Sequence, residues 1–251
     1  MLSTPLPADA LALLRRAQRD PAYVMLEGMH ALKHAMRFDA QVDVVASPDP
    51  DELARLLARV APDITLPVAP GAVEAGTWRA LTGGRALPSP CLAVARRPVV
   101  DVVAMLARPA RLLVLEEPRH LGNTGAVVRV AAAAGLAGVV VVGELDPWSP
   151  TVVRAAAGLH FAVDVVHVAD LAALDALLAA STRPIVALDP DGTPLDDVEL
   201  PVDAVVVLGT ERHGLSDALR ARATLRVAIP MQDGVSSLNL ATAAAVLVYR
   251  P

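Results

Sequence analysis

Five polar residues at three strand-to-helix turns are the candidates for chemistry in this 251-residue chain: Asn123, Arg129, Glu211, Ser237 and Asn239. In Leu112–Gly135, LLVLEEPRHLGNTGAVVRVAAAAG, the pattern predicts a buried strand, a polar loop with Asn123 and Gly125, then a helix carrying Arg129. In Val205–Ser216, VVVLGTERHGLS, a second buried strand meets a glycine turn from which Glu211 projects. In Ile229–Arg250, IPMQDGVSSLNLATAAAVLVYR, a strand ends, a polar loop runs to Ser236, and a helix is expected from Ser237. Ser236 and Ser237 occupy the expected N-cap, with Ser237 and Asn239 in the first turn. A helix start leaves backbone N–H groups free to face a ligand. A guanidinium stays protonated in proteins, so Arg129 offers positive charge rather than a proton acceptor. The plainer reading makes Asn123 and Asn239 turn and cap residues, Glu211 a solvated turn residue, and Arg129 an arginine snorkelling from an apolar helix. Taken alone, the residues leave both readings open.

These turns are set in a regular alternation of elements. Ahead of residue 97 the pattern predicts helix 8–19, strand 23–26, helix 29–36, strand 42–46 and helix 49–60. A strand near 64–68, a helix around 73–81 and a strand at 91–95 follow, giving a small, parallel-rich α/β domain. Residues 98–110, with Pro98 and Pro109, read as a linker that includes a short helix. From 111 to 251 all-apolar strands alternate with helices, as in a parallel sheet covered on both faces. In such sheets ligands bind at the carboxyl ends of strands, where all three turns place their polar residues. The expected domains are thus 1–97 and 111–251, joined by 98–110.

Composition narrows the class. Apolar residues make up 54% of the chain and aromatics 2%, so the core is built from Ala, Val and Leu. The single cysteine, Cys91, excludes an intrachain disulfide and a cysteine-cluster metal site, and fits a reducing cytoplasm. No basic-then-apolar leader is evident, and the apolar run from Val130 to Gly143 is too short to span a bilayer. A soluble cytoplasmic protein is expected. The net charge is −5, unevenly spread: residues 1–100 hold 11 basic against 10 acidic residues, and residues 101–251 hold 11 against 17. Arginines cluster at Arg15, Arg16 and Arg19 and at Arg96 and Arg97, a pattern that permits RNA binding without demonstrating it. His30 and His34, one helical turn apart with Glu27 nearby, lack an HExxH pattern or a third ligand. No metal site is expected.

Taken in order, the three turns resemble the motifs of the SpoU-type (TrmH-like) RNA 2′-O-ribose methyltransferases of the SPOUT superfamily. The likeness lies in N-x-G-x-x-x-R (Asn123, Gly125, Arg129), L-G-x-E-x-x-G-L-S (Leu208–Ser216), and I-P-M followed by S-L-N (Ile229–Met231, Ser237–Asn239). The phrase EGMHALKHAM, Glu27–Met36, more loosely resembles the opening of the L30e-like RNA-binding domain that precedes the catalytic domain in many such enzymes. The resemblance implies a SPOUT α/β domain with a deep trefoil knot, a homodimer, and methyl transfer from S-adenosylmethionine to a ribose 2′-hydroxyl, without a metal. The implied RNA is ribosomal first and transfer RNA second. Carried over residue by residue, Arg129 is the catalytic position, Asn123 orients RNA or Arg129, and Glu211 sits beside cofactor and target nucleotide. Ser237 and Asn239 floor the reaction centre. Leu208, Gly209, Ile229, Met231, Ser237 and Leu238 would enclose the cofactor. The chain departs from the family at Ala241 and Ala156, where serines are common, and at Leu87–Pro90, where Pro-Gln-Gly often stands. The alternatives are a nicotinamide-dependent Rossmann enzyme, which Gly122-Asn123-Thr124-Gly125 lacks the spacing to support, and a non-catalytic RNA-binding SPOUT relative.

Overall fold

A computed structural model describes residues 4–179, 181–209, 214–235 and 237–250. The chain forms two compact units, Met1–Val99 with Trp148–Ala162, and Val100–Pro147 with Val163–Pro251.

The first unit is built on a four-stranded sheet of order β1-β4-β2-β3, formed by Tyr23–Glu27 (β1), Val42–Ser47 (β2), Gly71–Ala72 (β3) and Leu92–Arg96 (β4). Helices Ala8–Ala17 (α1), Met29–Arg37 (α2), Pro50–Val60 (α3) and Ala75–Leu81 (α4) alternate with these strands. The expected parallel-rich sheet is corrected: β4 inserts between β1 and β2 and runs antiparallel to both, leaving β2–β3 as the parallel pair. The strand expected near 64–68 is also absent; pairing falls instead at Gly71–Ala72. Pro62, Pro67 and Pro70 account for this, because each lacks a backbone donor and disfavours a ladder.

Residues 148–162, which the sequence grouping sets within 111–251, are held in this first unit by contacts from far along the chain. Arg97 lies over the Trp148 ring at 5.1 Å, and Trp148 packs on His160 with ring centroids 4.9 Å apart. Arg154, in the helix Pro150–Ala155, donates to buried Glu27, which also binds Arg85 at 2.7 Å. His34 Nδ1 lies 2.8 Å from the Ala157 carbonyl.

The second unit centres on a six-stranded sheet in which every neighbouring pair is parallel. Its strands are Leu112–Glu116 (β5), Gly138–Val142 (β6), Asp164–Val168 (β7), Ile185–Pro194 (β8), Val205–Leu208 (β9) and Leu225–Ala228 (β10), in the order β10-β8-β9-β5-β6-β7. The central strands β5, β6 and β9 are buried along their whole length, as a two-sided parallel sheet requires. The helices that position the site are Leu121–Ala133, Asp217–Arg222 and Leu240–Val248, called here by those ranges. The short helix of 98–110, Val102–Ala107, is no free tether: Met105 is fully buried in a core cluster with Leu112, Val114 and Val140.

Candidate active site

Adjacent strands β5 and β9 end side by side, with Leu115 in register with Leu208. From β5 the sheet continues through β6 and β7 on one side, while β9, β8 and β10 lie on the other. Such a reversal of strand order opens a crevice at the carboxyl ends, where ligands bind in sheets of this type. The segments after β5, β9 and β10 carry every site residue expected from sequence.

After β5 the 121–133 helix begins earlier than its composition suggests. It starts at Leu121, with His120 in the N-cap position, so Asn123 and Gly125 lie in its first turns rather than in a loop. Arg129 stands on its exposed face. Helical side chains lean toward the N-terminus, and the positions one and two turns before Arg129 are Gly125 and Gly122. Neither glycine puts a side chain in the way of the arginine stem.

The last helix begins later than expected. It starts at Leu240, and its N-cap is Asn239, whose Oδ1 accepts from the N–H groups of Ala241 at 2.9 Å and Thr242 at 3.3 Å. The expected cap at Ser236 and Ser237 is thereby corrected: Ser237 lies exposed before the helix, and Ser236 falls outside the described residues. A side-chain oxygen that already receives two backbone donors orients the whole amide. Asn239 Nδ2 faces the other way and donates to Asn123 Oδ1 at 2.9 Å. A direct amide–amide bond thus joins the starts of the 121–133 and 240–248 helices across 116 residues of sequence. Asn239 therefore makes two kinds of bond: its oxygen caps the helix, and its nitrogen holds Asn123.

At the end of β9 Leu208 is buried, and just past the strand Gly209 is half-buried. A Cβ on Gly209 would lie 2.1–2.3 Å from the backbone of Gly214 and Leu215, so only glycine permits this approach. Glu211 lies outside the described residues. After β10, Ile229 is half-buried, whereas Met231, Val235 and Leu238 expose 36%, 50% and 40% of their surface. Each of these three apolar side chains is open to solvent.

Two buried carboxylates that sequence inspection missed hold these segments together. Glu116, at the end of β5, accepts from the Ser216 N–H at 2.8 Å, tying the loop after β5 to the segment that follows β9. Asp189, only 2% exposed in β8, lies 3.4 Å from Arg220 of the 217–222 helix and 3.5 Å from Arg226 of β10. Gly192 sits so close to the Arg226–Val227 backbone that a Cβ would come within 2.6–2.7 Å. The only sequence signal for these residues is negative: a carboxylate at the end of an otherwise apolar strand must find a buried partner.

The other candidates resolve simply. Glu27 is occupied by two arginines, so it is not a third ligand for His30 and His34. Among the described residues, no three His, Cys, Asp or Glu side chains cluster so as to hold a metal ion. None of the described helices is long and apolar enough to cross a membrane.

Residues 110–249 match the SpoU rRNA Methylase family, which accounts for more than half of the chain. The chain belongs to the SpoU family. It is 31% identical over 145 residues to a 23S rRNA (guanosine(2553)-2′-O)-methyltransferase of Bacillus subtilis, covering 57% of this chain and 58% of that protein. It is 33% identical over 171 residues to a 23S rRNA (uridine(2479)-2′-O)-methyltransferase of Streptomyces viridochromogenes, covering 64% and 59% respectively. The chain thus spans somewhat over half the length of the curated relatives it matches. In fold it resembles the SpoU methyltransferase AviRb of Streptomyces viridochromogenes solved with AdoMet, with a TM-score of 0.78 at 24% identity over 97% of this chain and 96% of that one. The SpoU match spans the crevice and both helices that the Asn123–Asn239 bond joins.

Proposed function

We infer that this chain transfers a methyl group from S-adenosylmethionine to a ribose 2′-hydroxyl of RNA, with ribosomal RNA as substrate ahead of transfer RNA. The observation that carries this reading is the Asn239–Asn123 bond, which ties the start of the last helix to the helix bearing Arg129 inside the stretch that matches the SpoU family. The names of the two relatives support the ribosomal choice.

The cofactor fits what the crevice offers. The tight packing of Gly209 on the Gly214–Leu215 backbone and the exposed apolar side chains of Met231 and Leu238 support this assignment. Leu208, Gly209, Ile229, Met231, Ser237 and Leu238 would hold it. When bound, S-adenosylmethionine supplies an electrophilic sulfonium methyl group. The protein must then position the hydroxyl and favour its developing negative charge. Holding two reactants in line is worth about 7–11 kcal/mol of barrier. Arg129 acts as a charge clamp, binding the neighbouring phosphate and stabilising the oxyanion. Asn239 fixes Asn123, Asn123 orients RNA or Arg129, Ser237 floors the site, and Glu211 orients the target nucleotide.

The same reading assigns residues 1–97 as an L30e-like RNA-binding domain, 98–110 as the link, and 111–251 as a SPOUT domain whose final segments form a trefoil knot. It also assigns a cytoplasmic homodimer. The exposed Val246 of the last helix and Tyr249 at its C-cap, 38% and 62% accessible, support pairing of copies through that helix. The charge clamp is tested by the pH–rate profile. A single rise with a pKa near 7 that disappears in Arg129→Ala would make Arg129 part of a titrating base and sink the clamp; a profile of unchanged shape with a lower plateau supports it.

A further inference from the structure

The outward face of α1 carries a cluster of charge that the catalytic reading does not use. Leu14 and Ala17 are buried, which turns Arg15 and Arg16 outward, and Arg19 follows in the next turn. Together with Ala12 and Asp20 these arginines line an open depression of about 590 Å3. Arg16 is held in place: its Nη2 donates to the Tyr23 hydroxyl at 3.1 Å, its guanidinium lies 5.3 Å from the Tyr23 ring centre, and its Nε is 3.5 Å from Asp20. The turn that follows is fixed as well, by Gln18 donating to the Leu81 carbonyl at 2.9 Å and by Asp20 accepting from the Ala22 N–H at 3.0 Å. Several other surface arginines are neutralised by an aspartate, as in Arg37–Asp63, Arg96–Asp43, Arg222–Asp175 and Arg250–Asp196. Arg15 and Arg19 make no such salt bridge among the described residues. In a chain of net charge −5, the depression sets three arginines against the single carboxylate of Asp20 and so keeps a net positive charge.

We propose that the Arg15–Arg16–Arg19 depression of α1 is a docking surface for the RNA phosphate backbone. The proposal rests on the reading that the substrate is RNA. Arg15 stands in the last turn of α1 and Arg19 in the turn just beyond it, so two exposed guanidinium groups are offered to the phosphates of one strand. Guanidinium groups bind phosphate oxygens through paired, planar hydrogen bonds. The stacking on Tyr23 restrains Arg16 before binding, which lowers the entropy lost when a phosphate arrives. An anionic membrane fits less well. A surface-binding helix needs an exposed apolar face, and here that face is buried against the unit's own core. Phosphate contacts fix register and affinity without reading sequence. The surface therefore strengthens binding to many RNAs alike.

The test is equilibrium binding of the full chain to unmodified ribosomal RNA, followed between about 50 and 200 mM salt. It compares the unaltered protein with Arg15→Ala/Arg19→Ala and with Arg55→Ala/Arg59→Ala, an equal loss of charge from exposed positions of α3. Loss of two phosphate contacts lowers the slope of log K against log salt by about 1.4–1.8. The α1 variant is expected to show that drop and a weaker affinity for every RNA tried, with unchanged S-adenosylmethionine affinity. The α3 variant is expected to change the slope much less. An unchanged slope in the α1 variant, or an equal drop in the α3 variant, overturns the proposal while leaving the RNA reading intact. Failure of the unaltered protein to bind RNA overturns both.

Discussion

Arg111→Met withdraws the guanidinium that closes the far end of the 240–248 helix. The last carbonyls of any helix lack intrahelical donors, and here Arg111 supplies them. Its Nη1 lies 3.1, 3.4 and 2.8 Å from the carbonyls of Leu247, Val248 and Arg250; its Nη2 and Nε bind Leu200 and Pro201 at 3.0 and 3.2 Å. The positive charge also faces the negative end of the helix dipole. Burial lowers the pKa of this guanidinium from its usual value, yet it stays charged at neutral pH. The bonds to Leu200, Leu247 and Val248 are buried, and each stranded carbonyl costs ~1–3 kcal/mol. Removing a buried charge recovers part of that, because its desolvation cost is several kcal/mol. The net loss should be ~2–4 kcal/mol. Urea unfolding followed by far-UV circular dichroism measures it; both tryptophans, Trp78 and Trp148, belong to the first unit and would not report on this helix. Arg111→Lys should fall between, since one ammonium cannot serve five spread acceptors. A loss below ~0.5 kcal/mol for Arg111→Met, the ordinary range for a surface substitution, would refute the idea that this carbonyl cage holds the helix in register.

Two further outcomes follow from the same geometry. Gly209→Ala places a Cβ 2.1–2.3 Å from backbone atoms, and the forced shift of the loop should weaken S-adenosylmethionine binding by at least ~10-fold, or ~1.4 kcal/mol, as read by calorimetry; unchanged affinity would remove Gly209 from the cofactor site. His34 is held below its usual pKa of 6.5, first by burial and then by nearby Lys33, Arg37 and His30, against the opposing Ala157 carbonyl. The folded chain therefore binds fewer protons at this site than the unfolded one, so the contribution is complete above 6.5 and fades as pH falls toward the folded value. Stability profiles should be flatter on the acidic side of neutrality for His34→Gln than for the unaltered chain, and parallel profiles would contradict this.

The parts of the fold legible in the sequence were those set by local pattern. The valine run Gly138–Val142 was a strand from its composition alone, and it is one end to end. The start of the 121–133 helix was obscured because Gly122, Asn123 and Gly125 are weak helix formers; tertiary contact overrides them, Thr124 being fully buried. The start of the last helix was misplaced by three residues because Ser236 and Ser237 are good caps, yet the bond to Asn123 selects Asn239 instead. β8 passes through Asp189-Pro190-Asp191-Gly192, residue types that favour turns. It continues to Pro194 with a shift in its register against β10, because Asp189 finds two arginines there. The candidate site was legible as residue types but not as connections. Nothing local shows that Asn239 would meet Asn123, or Arg154 meet Glu27, when more than 100 residues separate each pair.

The most direct measurement incubates the chain with radiolabelled S-adenosylmethionine and either unmodified ribosomal RNA or transfer RNA, then digests the RNA to nucleosides. The account predicts label in a 2′-O-methyl nucleoside, greater from ribosomal than from transfer RNA, and lost in Arg129→Ala while cofactor affinity persists. Label on a base would contradict the ribose chemistry. Absence of transfer despite measurable cofactor binding would favour a non-catalytic RNA-binding role.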